Sequence, residues 1–135
     1  MTITKTDVLP LRHEQDIVLA RQAVRRLTQD VGFGIVDQTK VVTATSELAR
    51  NAVIYGLGGV LRWEVLVDAT GRNGLRLHFI DEGPGIPDLQ QAMTDGWTSG
   101  TGMGLGLSGA KRLVSDFEID SVPGRGTRVT ITRWK

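Results

Sequence analysis

There is no cysteine in the 135 residues of this chain. That absence removes disulfide staples, thiolate zinc sites and cysteine nucleophiles together. Long hydrophobic runs are missing too. No stretch of about 18 apolar residues occurs, so no membrane-spanning helix is expected. The opening residues, MTITKTDVLPLRHEQD, are charged and hold no apolar core of signal-peptide length. Charge of one sign is not in excess either: 16 Lys and Arg stand against 15 Asp and Glu, a net charge of +1. Nothing in that balance calls for nucleic acid or an anionic membrane as a partner. A cytoplasmic protein is the default expectation. The length suits a single domain spanning residues 1–135. What the chain does have is glycine, 17 of them and mostly after residue 55.

Periodicity organises the chain in a definite order. DVLPL reads as a short edge strand limited by Pro10. HEQDIVLARQAVRRLTQDVGF places Ile17, Ala20, Val24, Leu27 and Val31 at helical steps, with Gly32 and Gly34 ending the helix. DQTKVVTATSELARNAVIYG puts Val41, Ala44, Leu48, Ala52 and Tyr55 on one face, with Asp37 as N-cap and Gly56 as the stop. The period then becomes two. VLRWEVLVDA and LRLHFID alternate as strands around a GRNG turn. Residues 86–94 read as a short helix and 95–104 as an irregular loop. LGLSGAKRLVSDF reads as a third long helix, with Leu107, Ala110, either Leu113 or Val114, and Phe117 on one side. FEIDSV, PGRG and TRVTITRW form a closing hairpin. Two hairpins imply antiparallel pairing. The expected fold is α+β: a two-layer sandwich with helices on one face of a mixed, mostly antiparallel sheet.

The densest glycine stretch is GTGMGLGL, running into the third helix. A P-loop requires G-x-x-x-x-G-K-[ST]. In the nearest frame, Gly104 to Gly109, the lysine comes one place late and Arg112 stands where a hydroxyl is needed. The dinucleotide fingerprint G-x-G-x-x-G matches at Gly104, Gly106 and Gly109. It belongs after the first strand of a long βαβ series, and the residues left after Gly109 cannot build one. A protein-kinase glycine loop fails for want of H-R-D and D-F-G.

Other residues complete the pattern. Glu47 and Asn51 lie four apart on the second helix and so project from one face. Glu47 can act as a general base. Asn51 offers a neutral oxygen suited to Mg²⁺, which takes one or two protein ligands beside phosphate oxygens and water. Asp81 closes the strand LRLHFID, and Gly83 and Gly85 after it let the backbone approach a ligand. Backbone N–H groups of GMGLGL, with a helix start behind them, can receive a polyphosphate. GRGT sits in the final hairpin, with Thr127 opening the last strand. His13 and His78 lack metal-ligand spacing and read as structural, the first solvated at a helix start and the second on a sheet face.

These motifs, E-x-x-x-N, D-x-G-x-G, G-x-G-x-G and a late G-T in this order, resemble the GHKL ATPase superfamily, which includes gyrase B, Hsp90, histidine kinases and MutL. Within it, the short chain is similar to the bacterial anti-sigma and switch serine kinases. DIVLARQ, GFGIVDQTKVVTATSELARN, EGPGIPDLQQAMTDG and SDFEIDSVPGRGT look like the RsbT-type switch kinases of the stressosome, from about Asp16 to Thr127. One departure is Tyr55, where many relatives carry histidine.

The resemblance implies ATP and Mg²⁺ as cofactors. By it, Glu47 polarises the attacking hydroxyl and Asn51 binds the metal. Asp81 accepts from the adenine amino group, Gly83 and Gly85 shape the adenine pocket, and Thr127 supports the adenine from beneath. Gly102, Gly104 and Gly106 close over the phosphates as a mobile lid, hinged by the small residues of DGWTSGTG. Trp97 in that lid either packs down on closure or touches a partner. The activity implied is a serine/threonine-protein kinase in a partner-switching module. Its substrate is a STAS-domain antagonist, and its downstream partner is a phosphatase or other output regulator. The alternative is an anti-sigma factor that sequesters a sigma subunit.

Overall fold

The computed structural model describes residues 1–86, 93 and 107–135. In chain order these form β1 (Thr2–Leu11), α1 (Glu14–Val31), α2 (Ile35–Arg50), a π-helical turn (Asn51–Tyr55), β2 (Gly59–Val67), β3 (Asn73–Asp81), α3 (Leu107–Arg112), β4 (Asp116–Val122) and β5 (Gly126–Trp134). The sheet order is β1-β2-β3-β5-β4. All four pairings are antiparallel, so the expected α+β layering is present without a parallel pair among the described strands. The expected short helix over 86–94 and loop over 95–104 lie, but for residues 86 and 93, outside the described residues.

Alternation along the strands divides the sheet into two unlike faces. Leu61, Leu75, Leu77, Phe79, Val129 and Ile131 point to one side and form a core with α1 and α2. α1 contributes Ala20, Val24, Leu27 and Val31 to it, and α2 contributes Val41, Ala44 and Leu48. These are the helical positions the periodicity nominates. The other side carries polar residues, among them Arg62, Glu64, Arg76, His78 and Thr130. His78 lies on this polar face, as expected. Its Nε2 lies 2.6 Å from Glu64 Oε1 and its Nδ1 3.0 Å from Thr130 Oγ1.

Several boundaries differ from expectation for local reasons. β1 is ten residues long rather than a short strand. It occupies the sheet edge, where Pro10 has no inner ladder bond to spoil. At the start of α1, the Asp16 carboxylate accepts the N–H groups of Arg12 (2.8 Å) and His13 (3.1 Å). Those bonds hold its pKa below the usual value. α2 is capped by Gly34, not Asp37. Asp37 falls inside the first turn, where a carboxylate suits the helix dipole, and it accepts a 2.7 Å bond from Arg133 on β5.

The β2–β3 turn is built on Asp68, upstream of the expected GRNG. Its Oδ1 accepts the Thr70 N–H (2.9 Å), the Thr70 hydroxyl (2.7 Å) and the Arg72 N–H (2.9 Å). The Thr70 hydroxyl, with the Arg72 N–H next, lowers its pKa to about 2. One side chain thus closes the turn, and Asn73 and Gly74 already pair with Val67 and Leu66. The third helix ends at Arg112. Leu113 N–H turns back to Ala110 O (3.1 Å) and Ser115 N–H is taken by Thr132 O (2.9 Å), so Phe117 belongs to β4.

Leu77 sits at the centre of the sheet's inner face and is 1% exposed. Leu77→Ala is expected to cost roughly 2–5 kcal/mol of unfolding free energy, read from the shift of a urea midpoint at unchanged slope.

Candidate functional site

The site lies where α2 ends over the sheet. One cross-strand row runs Leu11, Gly59, Asp81, Thr127, Ser121 through all five strands. Asp81 closes β3 and Thr127 opens β5, so antiparallel register sets them side by side on the helix-bearing face. Above them α2 changes winding. Asn51 N–H still bonds to Glu47 O in α-helical fashion, but Gly56 N–H bonds to Asn51 O (2.8 Å), five residues back. That wider π turn carries Asn51 and Tyr55 to the same pocket. The chain then leaves through Gly56, with Leu57 at φ 61° and Gly58 at φ 99°.

The pocket is a narrow slot of about 30 Å³. Its walls are apolar, with Leu48, Phe79, Ile86 and Val129 among them, and its polar groups come from Asn51, Asp81 and Thr127. An apolar slot with a few convergent polar groups is the usual form of a small-molecule site. Asp81 is half-buried. Burial raises its pKa, while the N–H groups of Gly83 and Thr127 pull it back. The Gly83 N–H lies 3.0 Å from Asp81 Oδ1.

Close approach explains the glycines around Asp81. A Cβ at Gly56 would overlap Asp81 Cγ, and one at Gly126 would overlap Asp81 O. A Cβ at Gly83 would come 2.5 Å from Gly56 O. At Gly85, φ is +74° and a Cβ would come 2.5 Å from Val122 O. The backbone here is packed so tightly that side chains are excluded on steric grounds alone.

The nominated residues are therefore placed as follows. Asn51, Asp81, Gly85 and Thr127 line one pocket, and Gly83 is bonded to Asp81 beside it. Glu47 sits one turn before Asn51 and does not line the pocket itself. Gly102, Gly104, Gly106 and Trp97 lie outside the described residues. Two further residues escaped the sequence reading. Gly56 was legible only as a helix stop. Ser121 Oγ accepts the Ile86 N–H at 2.7 Å, and lies 2.8 Å from Thr127 Oγ1 and 3.2 Å from Gly126 O. The signal for Ser121 was the hairpin register, since a turn at PGRG places residue 121 opposite residue 127.

Residues 36–135 match the family model described as histidine kinase-, DNA gyrase B-, and HSP90-like ATPase. The chain belongs to that family. Among its relatives, it is 45% identical over 121 residues to the serine/threonine-protein kinase RsbT of Bacillus subtilis, covering 90% of each chain. It is 31% identical to the anti-sigma F factor of Bacillus licheniformis, covering 88% of this chain and 84% of that one. Its fold is similar to that of a Mycobacterium tuberculosis protein with RsbU and RsbW domains, at a TM-score of 0.65 and 21% identity. That likeness covers 98% of this chain and 33% of the larger one.

The residues present fit a nucleotide and its metal ion. The pocket offers a carboxylate and a hydroxyl at one end. Among the described residues no group of three or more His, Cys, Asp or Glu forms a metal cluster. A magnesium ion shared with phosphate oxygens needs no such cluster, and an amide oxygen such as that of Asn51 is of the right kind to serve it.

Gly56→Ala is expected to displace Asp81 and weaken ATP binding by roughly five- to a hundredfold, as an unpaired buried polar group costs about 1–3 kcal/mol. Titration calorimetry checks this. An affinity equal to the parent's would show that the two residues do not need their close contact.

Proposed function

We infer that this protein is an ATP-dependent serine/threonine-protein kinase of a partner-switching module. The observation that carries the reading is the Asp81–Thr127 pair on the sheet row beneath Asn51. It lies in a chain of the family and 45% identical to a serine/threonine-protein kinase. Adenine enters the apolar slot, and its amino group donates to Asp81. The backbone N–H groups of Gly102, Gly104 and Gly106 receive the phosphates. Asn51 would hold Mg²⁺ by its amide oxygen, and the ion would supply neutralisation of the phosphate charge.

Phosphoryl transfer through a loose transition state depends mainly on positioning and charge neutralisation. The attacking group is a serine or threonine hydroxyl of the partner protein. Its oxygen forms the new bond to the γ-phosphorus while the bond to the β–γ bridging oxygen breaks and ADP departs. Glu47, on the same helix face as Asn51, accepts the hydroxyl proton. General-base assistance of this kind is worth roughly 10²–10⁴-fold in rate. The substrate is a STAS-domain antagonist, and the second partner is a phosphatase or other output regulator in the cytoplasm. The relationship to anti-sigma F factors supports a second reading, sequestration of a sigma subunit, at lower identity than the kinase relative.

Incubation with a STAS-domain protein and γ-labelled ATP tests the reading. Label on a serine or threonine is the expected result. Tight sigma binding without any transfer would favour the second reading.

Two substitutions divide binding from chemistry. Asp81→Asn is expected to weaken ATP binding about tenfold, through loss of a charge-assisted acceptor. Glu47→Ala is expected to bind ATP nearly as the parent does yet transfer phosphate about 10²-fold or more slowly in single-turnover assays. Full transfer by that variant would remove Glu47 from the base role.

A further inference from the structure

Ser121 lies on β4 and was not one of the motif residues. Its hydroxyl nevertheless joins two separate parts of the site: the segment after β3 through Ile86, and the start of β5 through Gly126 and Thr127. We propose that Ser121 is a positioning residue that fixes the hydroxyl proton of Thr127. It thereby makes Thr127 a hydrogen-bond acceptor toward the 6-position of the bound purine. The proposal rests on the ATP-binding reading above and adds to it a cause of base selectivity.

Protons and lone pairs decide the orientation of the two hydroxyls. A serine hydroxyl has one proton and two acceptor lone pairs. One lone pair of Ser121 Oγ takes the Ile86 N–H at 2.7 Å. Two contacts remain, to Gly126 O at 3.2 Å and Thr127 Oγ1 at 2.8 Å. A carbonyl oxygen can only accept. If the serine proton goes to Gly126 O, the second lone pair accepts the Thr127 O–H, and all three contacts are hydrogen bonds. If it goes to Thr127 instead, the Gly126 contact has no proton and only two bonds form. The first arrangement uses every contact, and half-buried or buried polar groups favour full pairing.

In the first arrangement Thr127 has spent its proton on Ser121. Its remaining lone pairs can then only accept, and Thr127 lines the pocket beside Asp81. Two acceptors side by side demand donors from the ligand. A purine with an amino group at the 6-position supplies them directly. A purine with an oxo group there presents an acceptor to acceptors and is rejected. Without Ser121, the Thr127 proton is free to rotate into the pocket and donate to the oxo group. A hydroxyl of undetermined orientation discriminates poorly; a locked one discriminates well.

The test compares ATP with inosine triphosphate, which differs at the 6-position, by titration calorimetry with Mg²⁺. The parent protein, Ser121→Ala, Thr127→Val and the double variant are measured. The parent is expected to prefer ATP. Ser121→Ala should reduce the ATP-to-inosine-triphosphate affinity ratio about tenfold, the value of one well-placed hydrogen bond. Thr127→Val should reduce it similarly, and the double variant should match Thr127→Val alone, because a positioning residue has no effect once the group it positions is gone.

A merely structural role for Ser121 would weaken both nucleotides and leave the ratio alone. An unchanged ratio in a natively folded Ser121→Ala protein therefore overturns the proposal, as does a double variant whose loss is the sum of the two. If Ser121→Ala does not fold, Ser121→Cys keeps nearly the same volume with weaker hydrogen bonds and carries the same expectation. Failure of the parent to bind either nucleotide sinks the ATP reading itself, an outcome distinct from an unchanged ratio.

Discussion

A carboxylate half-withdrawn from water is costly unless its surroundings supply donors. Asp81 is in that position, and the neighbouring chain is arranged to hold it. The N–H groups of Gly83 and Thr127 face it, the bare backbone of Gly56 closes over its Cγ, and Gly126 presses on its carbonyl. None of these contacts tolerates a side chain in the way. The turn after α2, the segment after β3 and the β4–β5 hairpin therefore converge on one residue. Their mutual placement follows from it. Burial also strips competing water from Asp81, which strengthens whatever hydrogen bond a ligand donates there.

The two faces of the sheet divide the work. The inner face is apolar and bears the helices, so the row that ends in Asp81, Thr127 and Ser121 starts from a packed core. Site precision comes from this rigidity, since side chains on strands within a core have little freedom to drift. The outer face pairs His78 with Glu64 and Thr130 and takes no part in the pocket. The tie from Arg133 to Asp37 fastens the last strand to the first turn of α2. It links the sheet to the same helix that carries Glu47 and Asn51 at its far end.

Much of this was legible in the sequence, and the reasons are physical. The helix faces were readable because a periodic apolar stripe has one way to bury itself. The inner and outer strand residues followed from alternation for the same reason. The local signals misled where several residues compete for one role. Asp37 is a good cap by type, but Gly34 three residues earlier made the first helical bond. GRNG is a good turn by composition, but the Asp68 side chain closed the chain sooner. Phe117 continued a helical stripe in LGLSGAKRLVSDF, yet pairing of Ser115 with Thr132 drew it into a strand. The pocket residues Asn51, Asp81 and Thr127 came from motif spacing. Ser121 and Gly56 did not, because a serine on a strand and a glycine after a helix have ordinary explanations until register and close approach are seen.

The π turn at the end of α2 has a consequence of an evolutionary kind. Such a turn is an α-helix with one residue more than regular winding accommodates. Insertions and deletions of a single codon are usually tolerated only in loops. Here the surplus residue is part of what presents Asn51 and Tyr55 together, while the row beneath is counted in the fixed register of β3, β5 and β4. The descent of this site is thus constrained in length as well as in residue type. Side chains on the outer helix surface can change freely, but the number of residues between Glu47 and Asp81 that reach the pocket from above is part of the inheritance.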